Sequence, residues 1–247
     1  MRTRTAISAI VAAVLLAVVA VSINHRYSDD ARIAPIAVND NPSTRVLVIG
    51  DSWVADRVLD EPIRDALARR TIVAQVHSLG YSGERTGKIY EHLAASQETA
   101  ATCVIVAGIN DSIGHFGAHY YAHHIRLLAK LALQRGCSPL IVELPQYDQE
   151  GVVAGDAPAY LRVRNLLYRF IFDHGSFAPI DQYRQQARND IAGLHVNLLN
   201  PDPAIGSPTT RPELWENPSH LSAKGRIALA DAIASAIFAR MHQNVSS

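Results

Sequence analysis

Residues 45–53 read Arg45-Val-Leu-Val-Ile-Gly-Asp-Ser-Trp53, an apolar run that ends in a glycine and a short polar turn. An uninterrupted apolar run of this length predicts a strand that is buried on both faces, as strands of parallel sheets are. Open α/β sheets bind their ligands at the carboxyl ends of the strands. The sequence therefore predicts that Ser52 lies at an edge of the sheet where chemistry can occur, although Asp-Ser after a strand also serves as a helix cap.

Three later segments strengthen this interpretation. They are Gly80-Tyr-Ser-Gly83 after the run 72–76, Gly108-Ile-Asn-Asp111 after the run 103–107, and Asn217-Pro-Ser-His220 just before the last helical pattern. A strand-end serine, a glycine turn, a Gly-x-Asn-Asp block and a late histidine, in this order, resemble the SGNH (GDSL-like) esterase and acyltransferase superfamily. The resemblance covers about residues 44–240.

Short apolar segments alternate with amphipathic helical patterns along this region, and such alternation predicts a parallel sheet with helices on both sides. We expect strands at 45–49, 72–77, 103–107, 139–144 and 194–199, and helices near 61–70, 85–95, 117–135, 157–174, 180–191 and 222–241. The predicted fold class is α/β: a three-layer α/β/α sandwich with a central parallel sheet of about five strands, SGNH- or flavodoxin-like.

The resemblance implies a serine-dependent acyl-transfer site. Ser52 would be the nucleophile, and His220 would take its proton and later deliver it to the leaving alcohol. The backbone N–H groups of Ser52 and Gly83 and the side-chain amide of Asn110 would form the oxyanion hole. No cofactor and no metal ion are implied.

The fourth block departs from the family pattern, which has Asp-x-x-His where this chain has Asn217-Pro-Ser-His220. An asparagine cannot stabilise an imidazolium as a carboxylate does, and the equivalent Asp-to-Asn change in a serine protease costs about four orders of magnitude in rate. Three arrangements stay open. A carbonyl group orients His220 in a Ser–His dyad, or Glu216 supplies the carboxylate, or the protein is weakly active or inactive.

Other residues could line or serve the same site. Trp53 follows the serine, and Trp215 lies in the long irregular stretch 200–219, where it could form the floor of a pocket or anchor the loop. His115, His119 and His123 recur every four residues, which predicts one helix face; a solvated polar face is favoured over a metal site, with His115 at the pocket mouth.

The N-terminal sequence predicts export. Arg2 and Arg4 precede residues 6–23, which carry no charge, so that 1–23 reads as an uncleaved signal anchor or a cleaved signal peptide, with the anchor favoured. Residues 24–43 read as a polar tether and 44–247 as the catalytic domain. The formal net charge is zero, and no basic stripe argues for nucleic acid as a partner.

The chain has two cysteines, and each opens a predicted strand that should neighbour the other in the sheet. An exported protein could join Cys103 to Cys137 in a disulfide. The alternative is a pair of small buried thiols.

These features predict an exported, membrane-tethered serine esterase, held in the membrane through residues 6–23. Family analogy suggests an acyl ester, an acetyl ester above all, on a cell-envelope or extracellular glycan. Two alternatives remain. One is an O-acyltransferase that uses the same site, and the other is a catalytically weak or inactive glycan-binding protein on this fold, which Asn217 would favour.

Overall fold

A five-stranded parallel sheet forms the centre of the protein in the computed structural model, which describes residues 13, 15–17, 19, 45–152, 159–172 and 177–243. The strands are β1 (Arg45–Gly50), β2 (Gln75–Gly80), β3 (Thr102–Val106), β4 (Ser138–Val142) and β5 (Asn197–Leu199). Their order across the sheet is β2-β1-β3-β4-β5, and every neighbouring pair is parallel. The predicted α/β fold with a parallel sheet of five strands is confirmed.

Strand β1 lies between β2 and β3 and is buried along nearly its whole length. Val48 and Ile49 have no exposed surface, and Leu47 is 2% exposed. Burial on both faces explains why this strand is a continuous apolar run rather than an alternating one. The serine that follows β1 is therefore delivered to the middle of the carboxyl edge of the sheet.

Helices connect and cover the strands. They are α1 (Asp60–Ala68), α2 (Thr86–Ala95), α3 (Ile109–Ile113), α4 (Ala118–Gln134), α5 (Gln149–Val152), α6 (Ala159–Phe172), α7 (Ile180–Asp190), α8 (Asp202–Ile205) and α9 (Ala223–Gln243). Helix α1 packs against α9, while α4 packs against α2 and α7. The connection from β1 to β2 moves toward one edge of the sheet, and the later connections move toward the other edge. Because such connections are right-handed, α1 lies on the opposite face of the sheet from α2, α4 and α7.

The element boundaries differ from the predicted ones at a few strand ends. Strand β2 begins at Gln75, three residues later than predicted, because Ile72 donates its N–H back to Leu67 and prolongs the turn after α1. Strand β4 ends at Val142 and β5 begins at Asn197, so both are shorter than predicted. Apolar residues extend beyond the paired backbone before β2, at Ile72, Val73 and Ala74.

Cys103 lies on β3 and Cys137 directly precedes β4, the neighbouring strand. The two residues form a disulfide, with their Cα atoms 5.8 Å apart. The bond connects the amino ends of two adjacent strands, at the opposite edge of the sheet from Ser52.

The long stretch 200–219 contains short elements that the sequence did not predict. It includes α8, a 3-10 turn at Pro212–Leu214 and β6 (Trp215–Asn217), which pairs antiparallel with β7 (His220–Leu221). Arg184 of α7 ties the start of this stretch to the sheet, because its guanidinium makes two 2.7 Å contacts to Asp202 and donates to the Leu144 carbonyl.

The chain divides into two units, Met1–Ala34 and Pro35–Ser247. Residues 13, 15–17 and 19 of the first unit are helical, and the rest of the predicted signal segment and the predicted tether at 24–43 lie outside the described residues. Within the part of the chain that the structure describes, none of the helices has both the length and the apolar character needed to cross a membrane.

Candidate active site

The turn after β1 presents Ser52. A Cβ atom at Gly50 would lie 2.0 Å from the carbonyl oxygen of Val106 on β3, so only glycine fits here. Beyond it, the backbone carbonyl of Asp51 accepts N–H groups from the third and fourth residues that follow, both at 3.0 Å. The chain therefore turns sharply at the strand end and leaves Ser52 half-buried at the surface of the sheet edge.

The buried carboxylate of Asp51 stabilises this turn through hydrogen bonds to backbone N–H groups. It is 1% exposed, accepts the N–H of Trp53 at 3.1 Å and accepts the N–H of Gly108 from the loop after β3 at 3.3 Å. Burial raises the pKa of Asp51 to about 6, against the lowering effect of these backbone donors. Asp51 thus connects the serine turn to the Gly-x-Asn-Asp loop, a positioning role that the sequence analysis did not assign.

Ser52, His220 and Asn217 lie in one hydrogen-bonded line. Ser52 Oγ is 3.0 Å from His220 Nε2, across 168 positions of sequence. The other ring nitrogen, His220 Nδ1, is 3.0 Å from Asn217 Oδ1. The fold therefore brings together the three residues that the first and fourth blocks supply.

The orientation of the Asn217 amide follows from its backbone partners. Its side-chain oxygen accepts the N–H of Ser219 at 3.0 Å and the N–H of His220 at 2.9 Å, which only an oxygen can do. An oxygen facing Nδ1 requires the ring proton on Nδ1, so that Nε2 presents a lone pair to the serine hydroxyl. Ser219 Oγ, 3.2 Å from Nδ1, is a further neighbour of this nitrogen that the sequence analysis did not single out.

Glu216, the alternative acid, is exposed. Among the described residues, no hydrogen bond or ion pair joins it to His220. Adjacent residues of β6 point to opposite sides, so Glu216 and Asn217 cannot both face the ring. Glu216 instead lines a cavity beside the serine.

The two residues predicted to complete the oxyanion hole, Gly83 and Asn110, follow the strands on either side of β1. Gly83 lies in the turn after β2 with φ +76°, a left-handed conformation that favours glycine. Asn110 follows β3, and its side-chain nitrogen donates to the Glu84 carbonyl at 3.0 Å. An amide nitrogen carries two N–H donors, so this bond fixes the Asn110 side chain and leaves a second donor.

Asp111 holds these two loops together. It has no exposed surface and accepts from the backbone N–H of Thr86 at 3.1 Å and from the Thr86 hydroxyl at 2.8 Å. Thr86 begins α2, directly after the glycine turn. Burial raises the pKa of Asp111 to about 7. The aspartate that ends the block Gly108-Ile-Asn-Asp111 was the available signal for this role.

Both tryptophans anchor the loop that carries His220. Trp53 is 5% exposed, donates its ring N–H to the Ser219 carbonyl at 2.7 Å and packs edge-on against Trp215 with ring centres 5.7 Å apart. Trp215 is 8% exposed and donates to the Ile205 carbonyl at 3.3 Å. Trp53 also lines the cavity beside Ser52, whereas Trp215 is not among its lining residues.

The three histidines do not share one helix face. Helix α4 begins at Ala118, and His115 precedes it with φ +53°, in the left-handed region. His115 is 4% exposed and packs on the ring of Phe177, with centres 4.4 Å apart, so the expectation of a solvated face is wrong for this residue. His115 does not line the cavity beside Ser52. Within the described residues, no group of three or more metal-ligating side chains occurs.

A cavity of about 320 Å³ opens beside the Ser52–His220 pair. It is lined by Ser52, Trp53, Ala55, Asp56, Val58, Leu59, Glu216, Asn217, His220, Leu221, Arg226 and Leu229. Asp56, which lines the cavity, and the next residue, Arg57, are non-glycine residues with positive φ, +55° and +61°. Such conformations cost about 1–3 kcal/mol each and cluster at functional sites.

Comparison with solved structures identifies the fold. The lipase/acylhydrolase from Enterococcus faecalis matches with a TM-score of 0.57 at 17% identity, over 80% of this chain and 96% of its own. The esterase EstA from Pseudoalteromonas matches with a TM-score of 0.55 at 16% identity, over 81% of this chain and 99% of its own. A mutant acetyl-xylooligosaccharide esterase from Geobacillus matches with a TM-score of 0.56 at 15% identity, over 80% and 95%.

The chain has the fold of the GDSL/SGNH lipases and esterases. This likeness extends over about 80% of its length. No protein-family model matches the chain, and no curated protein matches it in sequence. At these low identities the structural likeness establishes the fold, and the chemistry must be argued from the site itself.

Proposed function

We propose that this protein is a serine ester hydrolase in which Ser52 and His220 act as a dyad. The observation that carries the proposal is the 3.0 Å contact between Ser52 Oγ and His220 Nε2, with Nδ1 held by the Asn217 carbonyl oxygen. This arrangement supplies a nucleophile, a base with its lone pair facing the hydroxyl, and a group that orients the base.

In the proposed reaction, His220 Nε2 takes the hydroxyl proton as Ser52 Oγ attacks the ester carbonyl carbon. The negative oxygen would be stabilised by the backbone N–H groups of Ser52 and Gly83 and by the second N–H of Asn110. His220 then gives the proton to the leaving alcohol, and the acyl group stays on Ser52. A water molecule, deprotonated by the same ring, releases the acid and restores the hydroxyl.

The cavity provides an argument about the substrate. It contains Ser52 and His220 but neither Gly83 nor Asn110, so it lies on the side of the serine where the proton is delivered. In the proposed reaction the leaving alcohol lies in this cavity, because its oxygen receives that proton. Leucine and valine side chains form part of the lining, and Asp56, Glu216 and Arg226 add charged groups. Sugars combine apolar ring faces with hydroxyl groups, which fits this mixed lining.

We therefore propose an acyl ester of a glycan as the substrate, with acetyl as the acyl group, outside the cytoplasm and close to a membrane. The mixed lining of the cavity supports the glycan, and the name of the acetyl-xylooligosaccharide esterase from Geobacillus offers a parallel for the acyl group. The uncharged sequence 6–23 behind Arg2 and Arg4 supports export and tethering. Transfer of the acyl group to a second sugar would use the same dyad and the same cavity.

A fluorophosphonate probe and an ester series test the proposal. We expect the probe to label the full chain at Ser52 and acetylated glycans to lose acetate, whereas Ser52→Ala should lose both the label and more than about 99% of the turnover. A parallel assay with added acceptor sugars separates hydrolysis from transfer. Substantial turnover by Ser52→Ala would show that another group is the nucleophile.

One specific observation favours a second candidate function. Asn217 stands where the family has an acid, and a protein that binds acylated glycans without cleaving them could tolerate this amide. If wild-type protein resists the fluorophosphonate and cleaves no ester, but binds acetylated glycans, the binding function is correct and the hydrolase proposal is wrong.

A further inference from the structure

Helix α6 (Ala159–Phe172) turns an apolar face away from the protein. The exposed residues of this face are Val163, Leu166, Leu167, Phe170 and Ile171, each between 54% and 65% exposed. Their spacing of three, one, three and one places them on a single side of the helix, within an arc of about 140°. A contiguous apolar patch of this kind marks an interaction surface, whereas scattered exposed apolar residues do not.

The opposite side of α6 faces the protein. Tyr168 packs edge-on against Phe116 with ring centres 5.2 Å apart, and the guanidinium of Arg164 lies 5.6 Å from the same ring. Phe172 lies against Gly117 at the start of α4, where an added Cβ atom would meet it at 3.3 Å. The helix is therefore attached through Tyr168 and Phe172, while Arg164 lies at the border between this side and the aliphatic side that faces outward.

All the charged residues of α6 are positively charged. Residues 159–172 include three arginines and no acidic residue. At 100° per residue, Arg164 and Arg169 border the apolar arc on opposite sides. Two copies of this chain that met through α6 would bring two such positive helices together, which disfavours a second copy as the partner. A negatively charged, apolar partner is complementary.

We propose that α6 is a membrane-docking helix that lies flat on an anionic lipid surface. Helices that carry an apolar face bordered by arginines bind at the boundary between headgroups and acyl chains, with cations directed to the phosphates. Leu166, Leu167 and Phe170 enter this boundary. Because α6 packs on Phe116 and Gly117, a few residues after Asn110, docking then holds the active-site edge of the sheet near the membrane.

A tryptophan placed on the apolar face gives a local measure of docking. Phe170→Trp in the full chain is mixed with vesicles of phosphatidylcholine and phosphatidylglycerol that carry brominated acyl chains. We expect the new fluorescence to shift to shorter wavelength and to be quenched. Trp53 and Trp215 contribute a constant background because they are 5% and 8% exposed. With phosphatidylcholine alone, binding should be at least about tenfold weaker, since each arginine favours an anionic surface.

Val73 provides the matched control position. It is 84% exposed and lies just before β2, at the amino edge of the sheet. The fluorescence of the new tryptophan in the Val73→Trp protein should not be quenched, although this protein has the same N-terminal segment and the same native tryptophans. Local quenching therefore separates α6 from any membrane binding through residues 6–23.

A charged substitution tests the apolar face directly. Leu167→Glu, added to Phe170→Trp, should lower the partition of the helix into anionic vesicles at least about tenfold, and Val73→Glu should not. If the Phe170→Trp signal is unaffected by anionic vesicles, the proposal is wrong. If sedimentation shows a dimer in lipid-free buffer and the tryptophan is already shielded there, the partner is a second copy and not a membrane.

Discussion

At Asn217 one amide oxygen holds both the histidine and the loop that carries it. It accepts two backbone N–H groups and faces His220 Nδ1, all at 2.9–3.0 Å. The carbonyl fixes the ring orientation and the tautomer, but it brings no charge that would stabilise the imidazolium formed in the proposed mechanism. Ser52, His220 and Asn217 thus have the geometry of a catalytic triad but lack the negative charge that an acid would supply.

Replacing this amide by a carboxylate should increase activity. In Asn217→Asp both carboxylate oxygens accept, so the backbone bonds and the contact to Nδ1 can persist, and the charge stabilises the imidazolium. We expect kcat at neutral pH to rise, and the acidic limb of the pH–rate profile to move to higher pH. Glu216→Gln is the matched control and should change little. Loss of activity in Glu216→Gln, with no gain in Asn217→Asp, would make Glu216 the acid.

Asn110 allows a second test at the residue scale. Asn110→Ala removes one oxyanion donor, and the usual cost of such a loss is about 10²–10³ in kcat with a smaller change in KM. Steady-state kinetics on one acetyl ester would measure both quantities. Ser219→Ala is a useful comparison, because it removes a hydroxyl near the ring and no oxyanion donor. An effect of Asn110→Ala on KM alone would assign it to substrate binding.

At the scale of elements, the sequence predicted the strands and most helices because each has a strong apolar pattern. The predictions were wrong where the conformation of a turn, which apolar spacing does not reveal, determines which residues belong to an element. The turn that prolongs α1 removed Ile72 from β2, and the positive φ of His115 removed it from the helix face that its spacing suggested. The amphipathic pattern of α6 was visible in the sequence, but periodicity cannot show which side of a helix faces the protein.

The burial of Asp111 makes a prediction about how stability depends on pH. Burial raises the pKa of Asp111 to about 7, whereas an aspartate in the unfolded chain titrates near 4. Between these values the folded protein retains a proton that the unfolded chain has lost. Its contribution to stability is therefore complete below about pH 4 and disappears as the pH rises through 7.

Denaturant titrations at a series of pH values would measure this effect. Asp111→Asn keeps an oxygen for the Thr86 N–H and cannot titrate, so the decline in unfolding free energy between about pH 4 and 7 should be shallower than in wild type. Asp65→Asn, at an exposed position of α1, is the control and should leave the slope unchanged. Identical slopes in wild type and Asp111→Asn would contradict the buried, protonated state.

At the scale of the whole molecule, three separate features bear on where the protein works. The disulfide between Cys103 and Cys137 requires an oxidising compartment to form and persist. Arg2 and Arg4 before the uncharged sequence 6–23 favour a cytoplasmic N-terminus, with the remainder exported. The outward apolar face of α6 suits a membrane surface. Each feature could occur without the others, so the proposed export and membrane proximity of the protein can be tested jointly.

Expression of the full chain in a bacterial host tests this agreement. We expect the protein to stay in the membrane fraction after alkaline extraction, and alkylation without reductant to modify neither Cys103 nor Cys137. A deletion of residues 2–23 keeps the catalytic domain in the reducing cytoplasm, where both thiols should become alkylated. A soluble product of the full chain whose N-terminus begins near residue 21 would instead establish a cleaved signal. Alkylation of both cysteines in the full chain would instead refute the disulfide between Cys103 and Cys137.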